Sequence, residues 1–345
     1  MQLKQSLIIA VILGVISLAT WEFYWSSQGY YPDYDNDEAL WANQRARVSK
    51  AKKGNIIIIG SSRIHFDIQL DAWEKNTGIR PIQLAQPGSS PLPIFNDLVN
   101  KTDFNGTILV GVTPGLFFSG TTNEIRPYRS SNNKVKYFYN QTYAQRLNHQ
   151  LSIPFQRNLA FINDKDGISG IKLEELINRI SIGNRIEEGF PPFPKFANIS
   201  LDRNLRMIDK TVTDTSFAKI IKRVWTYKST DTTPPEHIDK NGVLKLFKKD
   251  AKTFMDRGGT LILLRCPSTG YYKRKEENFY KREQFWDSLL IVTNVKGYHF
   301  NDYEQLSKLD CPEWSHLSGK DADYFTSEIT KIMLKDQVIP TTKTK

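Results

Sequence analysis

Short apolar runs rich in β-branched residues recur along this chain, with helical patterns between them. In the first run, Asn55 to Ile59, four isoleucines follow one another, as in strands that are buried on both faces. Similar runs cover Pro81 to Ala85, Thr107 to Val112 and Thr260 to Leu264, and a short strand is expected near Tyr298 to Phe300. Because strands that alternate with helices form right-handed βαβ units, the sequence predicts an α/β fold with a parallel sheet.

Residues 119–235 interrupt this alternation. The segment is rich in aromatic residues, asparagine and arginine, and prolines punctuate it. Helices are expected at Tyr143 to Leu151 and at Lys172 to Ile180, so we predict a helical insert that caps the rim of the sheet. The alternation then resumes, and the α/β body is expected to span residues 54–335.

The N-terminus predicts a membrane anchor. An almost unbroken apolar run, Leu7 to Ala19, follows Lys4, and aromatic residues continue it to Trp25. Residues 1–25 reach the length of about 20 residues that a bilayer-spanning helix needs, and aromatic clusters are typical of the membrane interface. We expect a single-pass protein with a polar stalk at residues 26–53 and a periplasmic or otherwise extracytoplasmic body.

A cleaved signal peptide is the alternative. Ser17-Leu18-Ala19 has small residues at the spacing of a cleavage site, which would leave a mature chain beginning at Thr20. Both interpretations send the body across the membrane.

Charge and composition limit the classes of partner that this chain is expected to bind. Lysine and arginine outnumber aspartate and glutamate by 47 to 37, and this net charge of +10 favours anionic surroundings such as lipid headgroups or cell-wall polymers. Nucleic acid is not an expected partner, because the sequence has no zinc-finger spacing and no RNP-like motif. The five histidines and two cysteines show no metal-binding spacing, so no metal or other cofactor is expected.

Four loops carry the residues that could do chemistry. In an open parallel sheet, ligands bind beyond the carboxyl ends of the strands, so the loops that follow the strands are the places to look. They are Gly60-Ser61-Ser62-Arg63, Gln86 to Pro91, Gly111 to Gly115 and Asp310 to Leu317.

Ser62 and His316 have the residue types of a nucleophile and its base. A serine hydroxyl is a weak nucleophile and needs an adjacent general base, most often histidine. The base in turn needs an acceptor on its other ring nitrogen, a role for Glu313 or Asp310. His65 is the alternative candidate for the base. The alternative for Ser62 is a structural role as the N-cap of the following helix.

Further residues in these loops are candidates for binding the substrate. The backbone N–H groups of the serine and of Gly88, with the Thr113 hydroxyl, would stabilise an oxyanion. Arg63 and Arg265 are expected at the same sheet edge, where they would bind an anionic substrate group. The alternative for these arginines is an ion pair with a nearby carboxylate, Asp67 or Glu313.

A buried strand ending in Gly-x-Ser, a glycine-containing second loop and a late acid-x-x-His-Leu together resemble the SGNH/GDSL hydrolase superfamily. The resemblance covers about residues 54–118 and 258–332. It implies a flavodoxin-like, three-layer SGNH-type fold with the helical insert between the two parts. By this resemblance, Ser62 matches the nucleophile and Gly88 the glycine of the second block. Glu313 and His316 match the acid and the base.

The sequence departs from the family pattern at three positions. Ser61 replaces the aspartate of Gly-Asp-Ser, Thr113 stands nearest the place of the third-block asparagine, and the terminal acid is Glu313 where aspartate is usual. The resemblance implies an esterase or O-acyltransferase that acts on an acylated envelope glycan or lipid, and a membrane O-acyltransferase as a partner. The alternative is a non-catalytic binding or scaffold module, which the missing asparagine favours.

Cys266 and Cys311 each precede a proline, and their loops should converge at the sheet edge. A disulfide would tie the two loops together if the Cα atoms approach within roughly 4.4–6.8 Å. Two buried free thiols are an equally weighted alternative.

Overall fold

The computed structural model describes residues 2–27, 30–162, 191 and 193–343, and its core is a parallel sheet of five strands. The predicted α/β fold with a parallel sheet is therefore confirmed. The described residues contain seven strands, of which β4 and β5 form a separate pair: β1 (Ile56–Ile59), β2 (Ile82–Gln83), β3 (Thr107–Gly111), β4 (Ala197–Ile199), β5 (Leu205–Met207), β6 (Thr260–Arg265) and β7 (Lys296–His299).

The central sheet has the order β2-β1-β3-β6-β7, and each neighbouring pair is parallel. Both of its faces are covered. In β1, Ile57 and Ile59 belong to the core on one face, whereas Ile56 and Ile58 belong to the core on the other. A strand buried on both faces needs no polar alternation, which is why its sequence is a continuous apolar run.

Helices pack on both faces of this sheet. The described helices are α1 (Gln2–Ser27), α2 (Glu38–Arg47), α3 (Ser62–Asp67), α4 (Leu70–Thr77), α5 (Leu92–Asn100), α6 (Pro114–Phe117), α7 (Arg126–Asn140), α8 (Tyr143–Asn158), α9 (Lys210–Thr213), α10 (Thr215–Trp225), α11 (Lys240–Asp256), α12 (Gly270–Phe279), α13 (Ser288–Thr293), α14 (Glu304–Ser307) and α15 (Gly319–Lys335). Phe95 of α5 and Phe247 of α11 fill the core on one face. Trp73 of α4 and Phe325 of α15 fill the other.

The segment 119–235 contains more than helices. The antiparallel pair β4–β5 lies within it, followed by α9 and α10. The pair was not expected, because strands of three residues are too short to show a period-2 pattern. It packs through Leu205 against Phe66, near the end of α3. The helix expected at Lys172 to Ile180 lies outside the described residues.

Helix α2 lies in the segment 26–53, which the sequence predicted to be a polar stalk, and it is packed into the body. Leu40 and Trp41 are fully buried, and the Trp41 indole donates a hydrogen bond to the Leu84 carbonyl over 3.0 Å. Arg45 pairs with Asp97 inside the protein. This part of the segment is therefore not a free polar stalk.

The N-terminal helix α1 is long and apolar enough to cross a membrane. The stretch Leu3–Ser27 has a mean hydropathy of 2.1, and its most apolar window has no side chains buried against the rest of the protein. Trp21, Tyr24 and Trp25 form an aromatic cluster near its end. The prediction of an apolar N-terminal helix is confirmed.

Candidate active site

His316 and Glu313 form a buried pair in the loop between α14 and α15. Glu313 Oε1 lies 2.7 Å from His316 Nδ1 and accepts a second hydrogen bond of 2.7 Å from the His316 backbone N–H. Glu313 is fully buried and His316 is almost so. When Nδ1–H donates to the carboxylate, the lone pair is left on Nε2, as a general base requires.

Trp225 holds the other oxygen of Glu313. Its indole N–H donates to Glu313 Oε2 over 2.5 Å, so both carboxylate oxygens are engaged. Trp225 is the last residue of α10, in the segment that precedes the second half of the sheet. A charged acceptor with several donors is held in one orientation, and it orients the imidazole in turn.

Aromatic rings surround the His316 imidazole. Phe66 stacks on it with 4.2 Å between ring centroids, and Phe196 and Trp225 approach to 6.0 and 6.3 Å. Within the described part of the chain, His316 Nε2 is buried and has no hydrogen-bond partner. Its lone pair is therefore free to accept a proton, which is what a general base in this position needs.

Ser62 begins α3 directly after β1. The turn depends on Gly60, whose φ of +151° and contact with Ile64 leave no room for a side chain. Ser62 is half-buried. Because His316 Nε2 has no partner among the described residues, the hydroxyl of Ser62 is not hydrogen-bonded to it in this state.

Helix α3 is nevertheless packed against the histidine loop. The Asp67 carboxylate accepts a hydrogen bond of 3.0 Å from the Leu317 N–H, and Arg63 Nε donates to Ser315 Oγ over 3.4 Å. Phe66, between them on α3, stacks on His316. The nucleophile and the base candidates therefore lie on two elements in direct contact.

The oxyanion candidates differ in their surroundings. Gly88 has φ of +64° and open space where a side chain would be. Thr113 is engaged, because its hydroxyl lies 2.5 Å from Ser61 Oγ and joins the loops after β1 and β3. The hydroxyls of Ser61 and Thr113 thus bind one another.

Arg63 and Arg265 share a carboxylate that the sequence did not single out. Glu276 of α12 accepts from Arg63 Nη1 over 2.5 Å and from Arg265 Nη2. The predicted alternatives, Asp67 and Glu313, are not their ion-pair partners. Burial raises the pKa of Glu276, but the two guanidiniums outweigh this and hold the pKa below its usual value.

The rival assignments lie elsewhere. His65 is buried and its Nε2 lies 2.7 Å from the Arg203 carbonyl of the β4–β5 turn; burial lowers its pKa well below the usual range. Asp310 is exposed, whereas Glu313 touches the imidazole. Cys266 and Cys311 are both buried free thiols, so the disulfide is not formed.

Sequence reasoning missed Trp225 and Glu276. Neither lies in a loop that follows a strand, and each reaches the site from a helix. Among the described residues, no group of three or more histidine, cysteine, aspartate or glutamate side chains could hold a metal ion.

No protein-family model matches this chain, and no curated protein matches it either. The assignment of a function therefore rests on the residues and geometry of the site.

Proposed function

We propose that this chain is a membrane-anchored, extracytoplasmic serine esterase or O-acyltransferase of the SGNH type, acting on an acylated envelope glycan or lipid. One observation carries the proposal. The buried His316–Glu313 pair has an unpartnered Nε2, and it packs on the helix whose first residue is Ser62. The anchor is α1, which is long and apolar enough to span a bilayer.

The chemistry would proceed through an acyl-enzyme. As Ser62 Oγ attacks the acyl carbonyl, His316 Nε2 takes its proton and then donates it to the leaving alkoxide. Water, or the hydroxyl of an acceptor, then attacks acyl-Ser62 and loses its proton to the same nitrogen, which returns the proton to Ser62 Oγ as the acyl bond breaks. The backbone N–H groups of Ser62 and Gly88 would stabilise the oxyanion in both steps. Because the resting serine and histidine are not bonded, substrate binding must bring them together.

The arginine cluster favours an anionic substrate. Arg63 and Arg265 are buried and share the single carboxylate of Glu276, so these three side chains together retain one positive charge, and Arg63 directly follows Ser62 in α3. Long-range attraction of this kind would favour an acyl donor or acceptor with a phosphate or carboxylate. If the reaction is transfer, a membrane O-acyltransferase is the partner that would supply the acyl group.

A non-catalytic binding module is the second candidate. Two observations favour it: the Ser62–His316 hydrogen bond is not formed, and Thr113 stands nearest the place of the family's asparagine with its hydroxyl engaged by Ser61. Such a module would keep the fold as a scaffold in an envelope-modification complex.

A fluorophosphonate probe separates the two candidates, because it labels only an activated serine. We expect the full chain to be labelled, and Ser62→Ala and His316→Ala to be unlabelled. Ser61→Ala is the matched control: it removes the neighbouring hydroxyl and leaves the nucleophile, so labelling should persist. A folded wild-type chain that does not react with the probe contradicts the catalytic proposal and supports the scaffold.

A further inference from the structure

Helix α8 exposes its apolar side chains. Tyr143, Leu147, Leu151 and Phe155 are exposed by 75%, 45%, 60% and 57%. They recur every fourth residue, so they drift by about 40° a step and occupy an arc of about 120° on the helix. We name this surface the α8 arc. It runs for about 18 Å along the helix axis.

The opposite side of α8 faces the protein and is mostly polar, with Ile153 as its half-buried apolar residue. His149 and Gln156 are its buried residues. Gln156 Oε1 accepts a hydrogen bond of 3.1 Å from the Asp35 N–H in the segment between α1 and α2. A surface helix of a soluble protein turns its apolar face inward. In α8 the apolar side chains face away from the protein instead. Another apolar environment is therefore needed to cover the α8 arc.

The end of α8 is attached to the membrane helix. The Glu22 carboxylate of α1 accepts hydrogen bonds from the Ala160 N–H at 2.9 Å and the Phe161 N–H at 3.2 Å, directly after α8. Glu22 lies among the aromatic residues that end the apolar stretch of α1. Such residues lie at the headgroup level of a bilayer, and Phe155 is therefore held close to that level.

The charges of α8 suit a lipid surface. Arg146 and Arg157 are exposed and are eleven positions apart, which places them within about 20° of each other beside the arc. The helix contains no aspartate or glutamate. Interfacial helices combine an apolar face with flanking cations that contact anionic headgroups.

We propose that α8 lies in the membrane interface, with the α8 arc in lipid and its arginines among the headgroups. This proposal rests on the proposed anchoring of the chain by α1. Together α1 and α8 would make a two-point attachment that fixes the orientation of the sheet over the bilayer, and with it the direction in which Ser62 meets a membrane-bound substrate.

The test uses the full chain in vesicles of phosphatidylcholine and phosphatidylglycerol. A cysteine is introduced by Leu151→Cys and labelled with a fluorophore that lipid-borne nitroxides quench. The native Cys266 and Cys311 are buried and stay unlabelled without denaturant. Ile291→Cys is the control, because Ile291 is an 80% exposed apolar residue on α13 of the body. We expect nitroxide lipid to quench the Leu151 label severalfold more strongly than the Ile291 label, and iodide to show the reverse order.

Other outcomes overturn the proposal. If iodide quenches both labels equally, α8 is in water. If neither quencher reaches the Leu151 label, then protein covers the arc, either a second copy or residues 163–190 of this chain. The anchoring by α1 is tested separately, by flotation of the vesicles and by the mass of the mature N-terminus. Loss of the protein from the vesicles after a high-salt wash, or a mature N-terminus at Thr20, shows that α1 does not anchor the chain.

Discussion

The indole N–H of Trp225 donates a 2.5 Å hydrogen bond to Glu313, the carboxylate that holds the imidazole of His316. The two residues are 88 positions apart. The segment between the two halves of the sheet therefore contributes directly to the candidate site, and does not merely cover it. The same segment supplies Phe196, which packs beside the imidazole.

Replacement of Trp225 by phenylalanine should impair the site without removing a ring. The variant loses one donor to a buried carboxylate, so we expect turnover to fall about tenfold, equivalent to roughly 1.4 kcal/mol. Trp73→Phe is the control: the buried Trp73 N–H has no hydrogen-bond partner in the described residues. Unchanged turnover in Trp225→Phe would show that the indole contributes only the packing of its ring, and not its hydrogen bond.

Ser62→Ala and His316→Ala should each abolish turnover while the chain stays folded. Removal of one member of a triad costs roughly four to six orders of magnitude in kcat. Glu313→Gln should cost less than either, because its amide oxygen still accepts from the imidazole. Asp310→Asn should have no effect, since Asp310 is exposed. Steady-state kinetics with a small acyl ester measure all four, and near-normal turnover of Ser62→Ala would refute the assignment.

The cluster at Glu276 gives a stability prediction. Glu276→Gln leaves two buried guanidiniums without their carboxylate, so we expect the free energy of unfolding to fall by about 3–5 kcal/mol. Urea denaturation measures it. Glu277→Gln changes an exposed neighbour on the same helix and should shift the midpoint very little. Equal midpoints for the two variants would mean that solvent, not Glu276, compensates the arginines.

The redox state of the two cysteines can be tested by counting free thiols. Cys266 and Cys311 are buried and unbridged, and burial raises the pKa of both thiols well above the usual value. The native chain should react slowly with a thiol reagent, because the reactive thiolate is suppressed. After denaturation without reductant, two thiols per chain should titrate. A count of zero would show that the bridge forms after all.

The sheet could be predicted from sequence because burial on both faces leaves a local signature. The four isoleucines of β1 and the Ile108-Leu109-Val110 run of β3 form continuous apolar stretches because both faces of these strands are buried. Ser62, Glu313 and His316 could be predicted from the sequence for a similar reason, since each lies in a loop with a distinctive local sequence. The roles of Trp225 and Glu276 could not be predicted, because a contact between elements distant in sequence leaves no local pattern. The β4–β5 pair was missed because three-residue strands show no period.

Asp67 makes folding pH-dependent. It is fully buried; Oδ1 accepts from the Leu317 N–H, and Oδ2 has no partner in the described residues. Burial raises the pKa of this carboxyl well above its usual range. The native state therefore keeps a proton that the unfolded chain releases above about pH 4. The contribution of Asp67 to the free energy of unfolding is therefore greatest at low pH, and it decreases as the pH rises toward the pKa of the native state.

Asp67→Asn removes that titration and retains an acceptor for Leu317. The melting temperature of the variant relative to wild type should therefore increase between pH 4 and pH 8, by the equivalent of about 1.4 kcal/mol for each unit by which the native pKa is raised within that interval. Asp67→Leu is the control, because it abolishes the titration and also the acceptor, so the loop that carries His316 should loosen at both pH values. Thermal unfolding at the two pH values measures the difference. A gap between Asp67→Asn and wild type that stays constant with pH would mean that Asp67 is ionised in the native protein, with its charge balanced by Arg63 and Arg265.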